Sequence, residues 1–235
     1  MVQTQRLTTN LCFWLRRTKE EFHEKVACLI YPYFSLYEVT ALTSTLVLSF
    51  GVDIDYIATS KDLIVSEDGL SCQATKTLEQ ISIDDYSCLI LPGMIDFKPA
   101  LRDKELLTFL AGLNEESILI AAISSAPILL AKAGLLKDKT FTGGIWQNFF
   151  DYFDFIPKEN FKPLSVLKDQ NIVTAIGFAH QEFARTVLTS LNLTEDANKF
   201  FREEATYAEE VLVFNLSEEE FENFKSDFDA HLISK

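Results

Sequence analysis

Two adjacent serines, Ser124 and Ser125, stand where a chain would mount a nucleophile. Before them, residues 118–123 are continuously apolar and Ile-rich, which suits a strand buried on both faces. After them, Ala126 and Pro127 open an Ala/Leu-rich stretch that reads as a helix, proline being at home in a first turn. A strand that becomes a helix within two residues strains its hinge and pushes that side chain out over the sheet edge. Ala122-x-Ser124-x-Ala126 has the outline of the G-x-S-x-G elbow without its flanking glycines. The same residues also read as a plain strand–helix junction with a capping serine.

The other reactive side chains form no constellation. Cys12, Cys28, Cys72 and Cys88 are widely spaced with no C-x-x-C, which disfavours a zinc site or a disulfide framework. Cys28 and Cys88 lie in apolar runs as small hydrophobes, and Cys72, in a more polar segment, is the more reactive candidate. Asp84-Asp85 and the acidic runs of the C-terminal part lack metal-ligand spacing and read as solvated faces. No metal and no cofactor is expected. The net charge of −14 speaks against nucleic acid as a partner. Residues 195–235 hold twelve acidic and four basic residues, a net of −8.

The elements that must position these residues alternate along the chain. Residues 26–31 form an apolar strand run, residues 36–48 a Leu/Val/Thr-rich helix stopped by Gly51, and residues 52–58 a second strand. This has the size of a right-handed crossover in a parallel sheet. Short strands flank the Asp68-Gly69 turn, and a strand at 86–91 ends in Pro92-Gly93. Leu106, Leu107, Phe109, Leu110 and Leu113 share a helical face, and the helix after Ser125 closes at Gly134. Residues 140–142 read as a short strand before Gly143-Gly144, and the aromatic-dense stretch 145–163 as an irregular, packed loop. Residues 165–167 and 171–176 read as a hairpin, and 179–191 as a helix. The alternation predicts an α/β fold, a three-layer α/β/α sandwich around a mostly parallel central sheet.

With 235 residues, 48% of them hydrophobic and twenty of them phenylalanine, the chain can fill a large core. The expected division is an N-terminal extension at 1–24, a domain at 25–193 and an acidic extension at 194–235. In the first, Phe13, Trp14 and Phe22 suit a short packed arm. In the last, Thr194 with Glu195 and Asp196 predicts one helix start, residues 210–214 a strand, and Ser217 with Glu220 a capping box. The helix after that box carries Phe221, Phe224, Phe228 and Leu232 on one face. No apolar run approaches the roughly 18 residues of a membrane span. Residues 11–15 are too short, and their basic residues follow rather than precede them, so a secretory signal is not expected and the cytoplasm is.

Four segments resemble the ThiJ/PfpI family of the class I glutamine amidotransferase-like superfamily, whose fold is flavodoxin-like. They are Leu36-Tyr37-Glu38 at the first helix, residues 86–93 ending in Leu-Pro-Gly, residues 121–127 around the serines, and residues 171–184. The resemblance covers roughly 25–193. It implies that Ser124 occupies the position of the family's elbow cysteine and that Glu38 matches the glutamate contacting it. It also implies an oxyanion hole from the N–H groups of Ser125 and Met94, beside Gly93. Gly143 stands where a histidine often follows the short strand, Met94 where a second glycine is common, and Ala126 where the motif has glycine. A serine ionises far less readily than a thiol and needs a base beside it. With Gly143 in the histidine's place that base is missing, and a Met94 thioether is expected to crowd the pocket.

The resemblance with these departures implies a protein that binds a small polar or carbonyl ligand, in sensing, regulation or scaffolding, without thiol catalysis. The alternative is a hydrolase, an amidase or esterase in which Ser124 attacks and Glu38 is the base. Trp146, Gln147 and Asn148 either line the pocket or pack as aromatic core under a loop. His180, the one histidine within the resembling region, either reaches the pocket or is solvated at a helix start. Family members often form homodimers, and the Phe221–Phe228 stripe suits a self-contact.

Overall fold

Each central strand of this chain alternates its side chains between two apolar layers, and that alternation builds the molecule. The computed structural model describes residues 25–113, 118–201, 217–219 and 222–223. The first parallel unit is β1 (Lys25–Leu29), α1 (Tyr37–Phe50) and β2 (Asp53–Ala58). Gly51, at φ 66°, adopts the left-handed turn that ends α1 and returns its N–H to the last helical carbonyls. A small antiparallel pair, β3 (Ile64–Val65) with β4 (Ser71–Cys72), closes around Gly69 at φ 89°. Then come β5 (Lys76–Thr77), β6 (Cys88–Leu91), α2 (Lys98–Arg102) and α3 (Lys104–Ala111). Asp103 caps α3 by accepting from the Glu105 and Leu106 N–H groups. Next are β7 (Leu119–Ile123), α4 (Pro127–Lys132), α5 (Gln147–Tyr152), β8 (Val166–Asp169), β9 (Ile172–Ala175) and α6 (His180–Ser190).

The seven-stranded sheet runs β5-β2-β1-β6-β7-β9-β8. Every neighbouring pair is parallel except β8–β9, the predicted hairpin. Ala27 and Leu29 of β1, Leu89 and Leu91 of β6, and Ile120 and Ala122 of β7 face one cluster, with Leu106, Leu110, Ile128 and Leu129 of α3 and α4. Val26 and Cys28, Cys88 and Ile90, and Leu119, Ala121 and Ile123 face the other, with Val39, Leu42 and Leu46 of α1 and Phe183, Val187 and Leu188 of α6. The fold is the predicted three-layer α/β sandwich. Burying strands on both faces is why they read as continuous apolar runs.

Some details differ from the sequence reading. Residues 145–163 contain α5, whose Phe149 meets Phe97 and Phe153 edge-to-face and whose Phe150 meets Phe161 at a tilt, Phe161 in turn meeting Phe141 edge-to-face. These ring contacts pack the stretch as expected, and the helix at Gln147–Tyr152 is what the sequence reading lacked. Residues 140–142 form only one parallel bridge, Phe141 to Phe161. The expected helix start at Thr194 is a 3-10 turn at Ala197–Phe200 capped by Asp196. Ala197 and Phe201 are buried in the α1/α6 cluster, so that core runs past residue 193.

The chain divides into two units, 1–201 and 202–235. Within the second, 218–219 and 222–223 are helical. The strand expected at 210–214, the face of Phe221, Phe224, Phe228 and Leu232, the N-terminal arm and Cys12 lie outside the described residues. No helix of the described residues is long and apolar enough to cross a membrane.

Candidate functional site

Ser124 has φ 61°, in the left-handed region that a residue with a Cβ enters at a cost of roughly 1–2 kcal/mol. The surroundings hold it there. Its N–H donates to the Ala175 carbonyl at 2.7 Å, and its own carbonyl accepts the Gly144 N–H at 2.7 Å. The chain passes from β7 into α4 across Ser124, Ser125 and Ala126, and only Ser124 of these takes a positive φ. Its side chain stands at the C-terminal edge of the parallel strands, where open α/β sheets gather their ligands.

Glu38, in the first turn of α1, meets it there with 4% of its surface exposed. The carboxyl accepts the Gly93 N–H at 2.9 Å and a hydrogen bond from the Ser124 hydroxyl. Burial pushes its pKa up from 4.5 to about 7, against the bonds from Ser124 and Gly93, with Glu67 adding a smaller push upward. Near neutrality the pair therefore shares two proton arrangements. Ionised Glu38 takes the Ser124 hydroxyl as donor. Protonated Glu38 can donate to Ser124 Oγ, which frees the serine proton for a ligand's carbonyl or carboxyl oxygen.

Glycines wall the pair. A Cβ on Gly93 would stand 2.3 Å from Glu38 Oε2 and 2.5 Å from Ser124 Cβ. One on Gly177 would stand 2.4 Å from Glu38 Oε1 and 3.2 Å from Ser124 Oγ. Bare backbone is what lets carboxyl and hydroxyl meet. Gly177 was not among the expected site residues, although it lies at the junction of β9 and α6, where a glycine signals close approach. Gly143 is buried, and a Cβ there would lie 2.9 Å from the Ser124 carbonyl oxygen and 3.0 Å from Pro127 Cγ. A histidine at this position would displace backbone, so more than a side chain separates Gly143 from a base.

Met94 carries the largest revision. Its side chain is 5% exposed and belongs to the core cluster of α3 and α4, so the thioether fills core rather than crowding the pocket. Its φ is not positive, so glycine is not required there. Its N–H donates to Ser125 Oγ at 2.9 Å, and that hydroxyl donates to the Met94 carbonyl at 2.8 Å. The N–H expected to face an oxyanion is thus engaged by the neighbouring serine.

The remaining candidates sit at the margin. His180 begins α6, its ring edge-on to Tyr37 at 6.0 Å, with Nδ1 buried and unpartnered. Ser35 Oγ is likewise buried and unpartnered, its backbone N–H donating to the Gly93 carbonyl at 2.7 Å. Trp146 immediately precedes α5 and is 73% exposed, and Gln147 and Asn148 are exposed too, so none of the three encloses the pair. Ile95 and Phe178, next to Met94 and Gly177, are exposed as well. Burial raises the Cys28 thiol to about 12 and also pushes the Cys72 thiol up, which leaves both poorly ionised.

Comparison with known proteins places this chain among relatives. The family model for the DJ-1/PfpI family matches residues 24–190. The chain is 34% identical over 96 residues to the uncharacterized protease YdeA of Bacillus subtilis, a match covering 41% of this chain and 49% of that protein. It is 30% identical over 95 residues to the uncharacterized protein MJ0967 of Methanocaldococcus jannaschii, covering 40% and 46%. It thus spans about half the length of these curated relatives. Among solved structures, the DJ-1 superfamily protein Atu0886 of Agrobacterium tumefaciens superposes with TM-score 0.67 at 21% identity, covering 75% of this chain and 94% of that one. Drosophila melanogaster DJ-1beta superposes with TM-score 0.64 at 19% identity, covering 76% and 96%. These two structures share the fold.

Proposed function

This chain belongs to the DJ-1/PfpI family, and from that premise we propose that it binds a small polar or carbonyl ligand, as a regulatory or sensing protein without thiol catalysis. The observation that carries the reading is the Ser124–Glu38 pair inside its glycine wall. A serine stands on the strained hinge, a carboxyl near neutrality is its hydrogen-bond partner, and position 143 has no room for an imidazole. Hydroxyl and carboxyl together make a good donor–acceptor pair for a ligand oxygen, whereas a hydroxyl turns over an acyl group only where a base and free oxyanion donors are both in place. The unpartnered Ser35 Oγ and His180 Nδ1 lie on the segments that flank Glu38 and follow Gly177, and they add unspent polar capacity.

One observation favours the hydrolase reading. Glu38 already accepts from Ser124, and a carboxyl near pH 7 has the strength a general base needs. A fluorophosphonate probe separates the two. The binding protein stays unlabelled at Ser124 by intact-mass and peptide mapping at pH 8. Labelling of the wild-type chain that vanishes in Ser124→Ala would instead establish the hydrolase. Removal of methylglyoxal, a test of thiol-dependent carbonyl chemistry, is expected to be undetectable, and robust turnover by a clean preparation would mean that the nucleophile lies elsewhere.

A further inference from the structure

We infer that Ser125 is the residue that silences this site toward acyl and phosphonyl groups, because its hydroxyl occupies the backbone donor that would otherwise stabilise an oxyanion above Ser124. The inference rests on the reading that the wild-type site is unreactive.

Acyl transfer to a serine develops negative charge on the oxygen of the attacked group. That charge must fall against preorganised donors, and removal of one such donor costs about 10²–10³ in rate. Two backbone N–H groups follow β6 beside Ser124, those of Gly93 and Met94, and the Met94 N–H is one of the two oxyanion donors that the family resemblance implies, the Ser125 N–H being the other. The Gly93 N–H is spent on Glu38 Oε2 at 2.9 Å. The Met94 N–H is spent on Ser125 Oγ at 2.9 Å, and the same hydroxyl closes the ring by donating to the Met94 carbonyl at 2.8 Å. Ser125 is 8% exposed and Met94 5%, so water does not readily replace either bond. The segment that carries Met94 is itself fixed. Its residue pairs with Phe34 in an antiparallel bridge, and the Tyr31 hydroxyl donates to the Pro92 carbonyl. An incoming oxygen therefore cannot draw the Met94 N–H toward itself by moving the loop. It has to displace a buried, doubly bonded hydroxyl.

Deleting that hydroxyl leaves the Met94 N–H in place with no partner, which is the condition of an oxyanion donor. The reaction to be unmasked is balanced within the site and the probe. Ser124 Oγ bonds to the phosphorus of a fluorophosphonate, the P–F bond breaks, fluoride leaves, and the serine proton passes to the Glu38 carboxylate. Ser125 touches none of the reacting atoms and is a positioning residue.

The test compares wild type, Ser125→Ala, Ser125→Gly, Ser125→Thr and the double variant Ser124→Ala/Ser125→Ala at pH 8, with folding checked by a cooperative melt. The expected result is an unlabelled wild type, and labelling mapped to Ser124 in Ser125→Ala or Ser125→Gly at a rate raised by roughly 10²-fold. Ser125→Thr, which keeps a hydroxyl, stays silent, and the double variant is silent. Structural damage alone does not create a reactive Ser124. A silent wild type with folded but equally silent Ser125→Ala and Ser125→Gly overturns the role of Ser125 and leaves the binding reading standing. A wild type that is itself labelled at Ser124 overturns the binding reading. In that case the inference survives only if Ser125→Ala still reacts far faster than wild type, and it falls if the two rates agree.

Discussion

Glu38 is the residue on which the chemistry turns, and its proton has a measurable consequence for stability. Its carboxyl titrates near 4.5 when exposed and near 7 when folded. Between those values the folded chain binds the proton that the unfolded chain has released, so stability falls as pH rises through this window. The contribution is fully present below the unfolded value and is lost above about 7, a difference of roughly 3 kcal/mol for a shift of this size. Glu38→Gln keeps an acceptor for the Gly93 N–H but cannot ionise. Urea unfolding at pH 5 and pH 8 should show wild type losing stability relative to Glu38→Gln as the pH is raised. Parallel pH dependences would place the Glu38 pKa in the ordinary carboxylate range. Gly93→Ala tests the close approach, because a Cβ 2.3 Å from Glu38 Oε2 forces the pair apart. A loss of about 1–3 kcal/mol is expected, together with loss of the Glu38-dependent pH slope.

At the scale of elements, the site is assembled by three strand ends and one helix start. β6 delivers Gly93 and Met94, β7 delivers Ser124, β9 delivers Gly177, and α1 delivers Glu38. The position of α1 depends on its buried face of Val39, Leu42 and Leu46, packed in the same cluster as Phe183 and Val187 of α6. Leu46→Ala, two turns from Glu38, should cost about 2–5 kcal/mol by the cavity it leaves. If α1 moves as a rigid piece, the same variant should also lower the Glu38 pKa by letting water reach the carboxyl. An unchanged pH profile with the expected stability loss would show that the first turn of α1 is held by the site and not by the helix body. The Pro92–Met94 segment and the first turn of α1 were legible as motifs. The reciprocal bond between Ser125 and Met94 was not, because it joins residues thirty-one apart in sequence through a register that only β6–β7 pairing sets.

At the scale of the whole molecule, the net charge of −14 predicts a negative potential at an exposed apolar margin. Trp146, Ile95 and Phe178 are 73%, 76% and 91% exposed on the loops beside the pair. In a Trp14→Phe variant, Trp146 is the remaining tryptophan reporter. Judged against free tryptophan amide, its emission should be quenched more readily by caesium and less readily by iodide. Both deviations should shrink as salt shortens the reach of the charge. Equal treatment of the two ions at low salt would mean that the acidic residues do not surround this edge of the sheet.

By itself the sequence determined the alternation of the principal strands and helices, the three-layer class and the segments that meet at one sheet edge. Apolar runs bounded by Gly51, Pro92-Gly93 and Gly134 report burial and chain reversal, which are local properties. It also singled out Ser124 and Glu38 through a family resemblance. Tertiary structure alone decided what surrounds them. It pressed Gly177 against the carboxyl, turned Met94 into the core, left Trp146 in solvent and closed the Ser125 hydroxyl onto the Met94 backbone. Those outcomes depend on distances between strands that are remote in sequence, set by sheet register and core volume, and no periodicity encodes them.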